Sequence, residues 1–415
     1  MRPGRLYFDN SATSYPKPPA VIEAMVRYAT EIGASAGRGA YAEAMASRKV
    51  LQDCREAVRK LINGAKPEHV IFTLNCSDAL NLGIKGMIDL RKATAGEKQH
   101  VVCTDTDHNS TLRPLTAMRE LGWVDVTHVP IDPATGLVDP GDIRKALRSN
   151  TRLLCVTHAS NVTGALQPIR EMGAIARERA VPYLVDAAQS IGHVDIDVEK
   201  DHIDLLAAPG HKGMLGAPGT GFLYIRPGLE KMLHTVREGG TGSQSDEDRH
   251  PTTMPEKYEA GSHNAVGLAG LLAGVTWLLE RGVAWIREHE LSLIRTFIEG
   301  VSGIEGLTYF GPQGVKDRVG VFSVRVDGFS PGELAKRLED EFGILTRPGI
   351  HCAPHVHATL GTTLAGGTTR FSFGPFLTVH DVKYATDALA TIAGASSANR
   401  STEATESQRA ASRNE

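Results

Sequence analysis

Long apolar runs, cysteines, aromatic residues and net charge are all scarce in this 415-residue chain, and each scarcity excludes something. No stretch reaches the roughly 20 apolar residues that span a bilayer. The longest candidate, AVGLAGLLAGVTWLL at 265–279, reads instead as a buried helix. The opening residues MRPGRLYFDN lack the apolar core of a secretory signal, so the expected location is the cytoplasm. The five cysteines (Cys54, Cys76, Cys103, Cys155 and Cys352) are odd in number and widely spread, which suits a reducing compartment better than a disulfide framework. With 45 Lys+Arg against 48 Asp+Glu, the net charge is −3 and no long basic stripe exists. The electrostatic footprint of a nucleic-acid binder is therefore missing.

What is present describes an ordinary globular protein. The 41% hydrophobic and 22% charged residues, with a mean hydropathy of −0.18, exclude wholesale disorder. The length predicts two or three domains at roughly 150 residues each. Between about 70 and 226, short apolar runs alternate with helical periodicity, the pattern of a parallel sheet built from βαβ units. The expected strands are HVVCT (100–104), RLLCVT (152–157), PYLVD (182–186), DLLAA (204–208) and GFLYI (221–225). Their continuous apolar character fits burial on both faces. The stretch 168–180 places Ile169, Met172, Ile175 and Ala176 on one stripe, as a crossover helix does.

After a polar stretch at 237–262, long helices (264–281 and 283–299), strands near 319–327 and 368–374, and a closing helix at 380–393 suggest a smaller α+β domain. The expected organisation is an N-terminal arm (1–20) beside the small domain, a large α/β domain (21–262), a small domain (263–395) and a disordered tail (396–415). The tail lacks large apolar residues altogether.

The strongest local chemistry lies in LLAAPGHKGMLGAPGTGFLYI, where a strand ends, His211 and Lys212 follow, and glycines crowd both sides. A lysine on such a tight loop can form a Schiff base with pyridoxal 5'-phosphate (PLP); the competing reading is a surface lysine in a glycine-rich turn. Upstream, PYLV runs into Asp186, with Gln189 three residues on. A carboxylate at a strand's carboxyl end can keep a pyridine nitrogen protonated, though Asp also suits a helix N-cap. In FTLNCSDALNL, Asn75, Cys76 and Ser77 precede an amphipathic helix whose free N–H groups could cradle phosphate. His108 follows another strand and could lie on a planar ring. Asn161, in HASNVTG, could donate to a phenolate oxygen or a substrate carboxylate.

These segments resemble the cysteine desulfurases of the class V aminotransferase family. The resemblance runs from YFDNSATSYPKP (7–18) through GRGAYAEAMAS, FTLNCSDALNLGIKG, DHNSTLRPL, THASNVTG, VDAAQS, GHKGMLGAPGTG and YEAGSHNAVG to RPGIHCAP and TTRFSFGPF. It implies a fold type I PLP-dependent transferase: an α/β large domain with a mainly parallel seven-stranded sheet, and a smaller α+β domain. By position it makes Lys212 the Schiff-base lysine, Asp186 the pyridine-nitrogen partner and His108 the residue stacked on the ring. Gln189 and Asn161 would flank the phenolic oxygen. Cys76, Ser77 and His211 would hold the phosphate, with Ser262 reaching in from the second subunit of a homodimer. Cys352, beside His351, would accept sulfur from L-cysteine as a persulfide and pass it to an acceptor. Arg370 would clamp the substrate carboxylate, with Asn161 nearby.

Four positions depart from the family's usual choices: Pro209, Cys76, Tyr41 and Pro348. They leave the fine substrate preference open. Selenocysteine lyase, or another class V C–S lyase or epimerase, shares most of these residues. A reading of a different kind makes His351, Cys352, His355 and His357 a metal-binding cluster on a scaffold protein.

Overall fold

In a computed structural model, which describes residues 4–37, 39–242 and 246–411 (side chains to 395), the apolar runs become the central sheet. Gln99–Thr104, Thr151–Thr157, Tyr183–Asp186, Leu205–Pro209 and Gly221–Ile225 are strands, joined by Val70–Thr73 at one edge and Val124–Val129 at the other. Across the seven-stranded sheet the order is Val70–Thr73, Gly221–Ile225, Leu205–Pro209, Tyr183–Asp186, Thr151–Thr157, Gln99–Thr104, Val124–Val129. Gly221–Ile225 runs antiparallel to both neighbours and the remaining pairings are parallel. The edge strand VDVTHV is not an apolar run because its outer edge has no strand to pair with and its middle residues are partly exposed.

The crossover helix Ile169–Glu178 buries the expected stripe of Ile169, Met172, Ile175 and Ala176. Parallel strands point their carboxyl ends the same way. Thr104, Thr157, Asp186 and Pro209 therefore open on one edge, and the loops beyond them carry His108, Asn161, Gln189 and Lys212.

A second, antiparallel sheet has the order Arg347–Gly349, Thr368–Ser372, Val321–Val326, Leu307–Phe310. Its core holds an aromatic cluster among aliphatic residues: Phe297, Phe322, Phe371 and Phe373 pack with Phe8 from the N-terminal segment. That segment also pairs Leu6–Tyr7 in parallel with Ile344–Leu345.

Two boundaries differ from the expectation. The helix Ala265–Arg281, assigned to the small domain by its position after the polar stretch, buries Leu268, Leu271, Val275 and Leu278 in the large-domain core and packs on the helices Pro19–Arg27 and Ala42–Leu61. Its apolar residues lie all round, so neither face marks its domain from sequence. The closing helix runs Val379–Ala411, over most of the stretch read as a disordered tail, while 412–415 lie outside the described residues. Alanine, the strongest helix former, occurs four times in 396–411, and two glutamates, two arginines and one glutamine add to its preference for the conformation. Among the described residues, no single helix is long and apolar enough to cross a membrane.

Candidate active site

The turn carrying His211 and Lys212 is set by close backbone approach on both sides. A Cβ on Gly210 would meet Thr220 Oγ1 at 2.1 Å, and one on Gly213 would meet the Ile191 carbonyl at 2.0 Å. Any larger residue would displace the lysine. The His211 carbonyl accepts from the Ser14 N–H at 3.0 Å and from the Thr13 and Ser14 hydroxyls at 3.1 Å, which ties the turn to the N-terminal segment.

Lys212 lines a cavity of about 120 Å³ at the carboxyl edge of the large sheet, together with Cys76, Ser77, His108, Asn161, Asp186, Gln189 and His211. Eight residues singled out from widely separated motifs thus meet in one place. A larger cavity of about 810 Å³ opens at the opposite edge of the strands, beside Val181, Asp204 and Arg226, away from all of them. Ser262 is not among the residues of the Lys212 cavity; it sits in a separate one of about 70 Å³ with Phe72, Gly219 and Asn264.

Electrostatics differentiate the groups in the cavity. Burial lowers the Lys212 ammonium below its ordinary range, while Cys76 and Asp186 pull the other way. Burial raises the Asp186 carboxyl, against the Ala188 N–H at 2.9 Å and the Cys76 thiol, which donates to Asp186 Oδ1 at 3.5 Å. His108 caps the helix Asn109–Glu120, its Nδ1 accepting from the Ser110 N–H at 3.0 Å. Burial, then Lys212, pushes its imidazole down to about 4, so it is neutral at pH 7. His211 is likewise held down to about 4, first by burial and then by Lys212. Ser77, in the first turn of the helix Cys76–Gly86, pairs its hydroxyl with Ser110 at 2.6 Å. Gln189 Nε2 donates to the Ser11 carbonyl at 3.0 Å.

Cys352 and Arg370 approach from the small-domain side. His351 and Cys352 both adopt left-handed backbone, with φ of +53° and +60°, which costs a non-glycine residue free energy and gives the loop a sharp turn. That turn is held at two points: the Asn109 N–H donates to the Cys352 carbonyl at 2.8 Å, and Asn161 Nδ2 donates to the His351 carbonyl at 2.5 Å. Cys352 itself is exposed, and all five cysteines are unpaired. Arg370 is buried in the strand Thr368–Ser372; its guanidinium donates to the Asn161 carbonyl at 3.2 Å and to Asp9 at 2.7 Å.

Sequence reasoning assigned no role to Asp9, Ser110, Thr13 or Ser14. The only signal was that Asp9, Thr13 and Ser14 fall within YFDNSATSYPKP and Ser110 beside His108. The proposed ligand set His351, Cys352, His355 and His357 does not assemble. His351 Nε2 meets Thr368 Oγ1 at 3.2 Å, His357 Nδ1 meets Thr362 Oγ1 at 2.7 Å, and His355 turns away to Asp105. Alternate residues of a loop and short helix point in different directions, which sequence spacing does not show.

The aminotransferase class-V family model matches residues 6–385. A probable cysteine desulfurase of Methanothermobacter thermautotrophicus is 37% identical over 94% of this chain and 95% of the relative. A cysteine desulfurase of Yersinia pseudotuberculosis is 29% identical over 84% of each. The apo structure of the cysteine desulfurase from Thermococcus onnurineus superposes with a TM-score of 0.87 at 32% identity, covering 94% of this chain and 95% of that one. With the fold, the cavity and these relatives in agreement along nearly the whole length, the chain belongs to the cysteine desulfurase family of class V aminotransferases.

Proposed function

We propose that this protein is a PLP-dependent cysteine desulfurase that converts L-cysteine to L-alanine and carries the released sulfur as a persulfide on Cys352. The observation that supports this most is the convergence of Lys212 and buried Asp186 in one cavity, with the Cys352 loop tied to Asn161 of that cavity and to Asn109 next to His108. The residues fit the cofactor. Asn161 Oδ1 and His211 Nδ1 are buried polar atoms without a partner, as expected of groups that await one. The N-terminus of the helix Cys76–Gly86 and the Ser77 hydroxyl suit a phosphate, Asp186 a pyridinium, and Lys212 the aldehyde. Pro209, which also lines the cavity, brings no hydroxyl or N–H to that cradle.

When bound, PLP supplies an electron sink for negative charge at the substrate Cα. The protein's own groups do the rest. Arg370 orients the α-carboxylate, for which its fork-shaped guanidinium is suited. Lys212, its proton affinity reduced by burial, takes the proton from the substrate Cα. The Cys352 thiolate attacks the substrate Sγ; the S–S bond forms as the Cβ–S bond breaks, and Cβ keeps the electron pair and gains a proton. Net, Cys352–SH plus HS–CH₂–R gives Cys352–S–SH plus H–CH₂–R, where R carries the amino-acid centre. An acceptor thiol then takes the outer sulfur.

The same reading makes the enzyme a homodimer in the cytoplasm, with Ser262 serving the partner's cofactor. Its position outside the chain's own Lys212 cavity is in keeping with that. Incubation of the purified protein with L-cysteine and a thiol reductant, assaying alanine and sulfide together, tests the function. Equal amounts of the two are expected. Absence of alanine would defeat the proposal.

A further inference from the structure

Beneath the Cys352 loop, at the edge of the large sheet, three side chains converge that the reaction does not use. Asp105 follows the strand Gln99–Thr104, His128 lies in the edge strand Val124–Val129, and His355 lies in the helix Pro354–Thr359. Each offers one ligand atom, and the three atoms lie within 4.8 Å of one another at part-buried positions. His355 Nδ1 is 3.0 Å from Asp105 Oδ1, and His128 Nδ1 is 3.9 Å from the same oxygen. The imidazoles stack with centroids 4.7 Å apart and planes at 28°. Both Nδ1 atoms thus lie near one carboxylate oxygen, that of His355 within hydrogen-bond range and that of His128 beyond it.

A hydrogen bond accounts for the His355 contact but not for the 3.9 Å one, which exceeds hydrogen-bond range. Among the described residues, the other hydrogen-bond partner of His128 is the Cys103 sulfur, 3.5 Å from Nδ1 and a weak one. Tetrahedral zinc with bonds of roughly 2.0–2.1 Å sets its ligand atoms about 3.3 Å apart. Two of the separations, 3.0 and 3.9 Å, bracket that spacing, and with all three atoms within 4.8 Å of one another rotation of the two imidazoles would close the set. Two imidazoles and a carboxylate are the donors that zinc-class cations take, with water completing the shell.

We propose that Asp105, His128 and His355 form a site for a zinc-class divalent cation that clips the helix following Cys352 to the edge of the large sheet. His355 is three residues beyond Cys352, so the clip adds to the tie that the Asn109 N–H makes to the Cys352 carbonyl. Arg119 opposes the added charge and Asp105 offsets it.

The test uses the full-length, cofactor-loaded enzyme, stripped with a chelator, dialysed against zinc and washed, with metal content measured per chain. One zinc per chain is expected in the wild type and in Cys352→Ser. His128→Asn and His355→Asn should each retain less by at least about tenfold. Wild type without stoichiometric zinc, undiminished zinc in either histidine variant, or loss of zinc in Cys352→Ser would overturn the site. If His128→Asn loses the visible absorbance that reports a folded holoenzyme, Asp105→Asn replaces it under the same criterion.

Discussion

The Arg370 guanidinium donates to Asp9 Oδ1 at 2.7 Å, joining a buried strand of the small domain to a segment 361 residues earlier in the chain. Burial lowers the Arg370 proton affinity, and Asp9 is the first influence that raises it again. A substrate carboxylate reaching this arginine meets a partner already in place and must share the fork or displace Asp9.

Arg370→Ala is expected to lower kcat/KM for cysteine by roughly 10–100-fold, the range of a charge-assisted pair of about 1.5–3 kcal/mol. Most of the loss should appear in KM, because the clamp binds substrate before any bond breaks. Arg370→Lys keeps the charge without the planar fork and should recover only part of it. Steady-state alanine formation measures both; an unchanged KM in Arg370→Ala would contradict the clamp.

Asp186→Asn should fold normally, since its amide oxygen can still accept the Ala188 N–H that now binds the carboxylate at 2.9 Å. It cannot hold negative charge opposite a pyridinium. Turnover should fall by at least about a hundredfold, as when a preorganised electrostatic group is removed. Near-ultraviolet circular dichroism checks the fold, and alanine release the rate.

Cys352→Ser should retain the visible absorbance of bound cofactor yet release no alanine from cysteine. The cavity residues that would hold the cofactor do not include Cys352. Full turnover in this variant would remove the persulfide from the mechanism.

Acid should destabilise the fold earlier than ordinary carboxylate titration would. Burial is the first cause holding His100, His211 and His357 down to about 4 and His158 to about 3, from an ordinary 6.5. Between 6.5 and about 4 the unfolded chain therefore binds more protons than the native one, so stability falls as pH falls through this window. Asp107, raised to about 7 by burial, and Asp186, raised by the same cause, act in the opposite sense but are two groups against four histidines. The urea midpoint should drop between about pH 7 and about pH 4.5. A flat profile would count against buried neutral histidines.

Much of this architecture can be read from residues alone, and what cannot follows a pattern. The strands ending at Asp186 and Pro209 are legible as apolar runs buried on both faces, and so are the loops beyond them that carry Gln189 and Lys212. His108 and Asn161 follow the same rule. The Arg370–Asp9 and Cys76–Asp186 contacts join residues 361 and 110 positions apart, and no local periodicity encodes such pairs. The tight HCxxHxH spacing misleads for the complementary reason: neighbours in sequence diverge, and His355 finds its partner 250 positions away in Asp105. Val124–Val129 escapes notice because an edge strand needs no continuous apolar run.

In the proposed resting enzyme the cofactor aldehyde is bonded covalently to Lys212 Nζ. Borohydride reduction of the resting enzyme, followed by proteolysis and peptide mass mapping, should leave the pyridoxyl mass on the peptide containing Lys212 and nowhere else. A modified peptide elsewhere in the chain, or none, would contradict it.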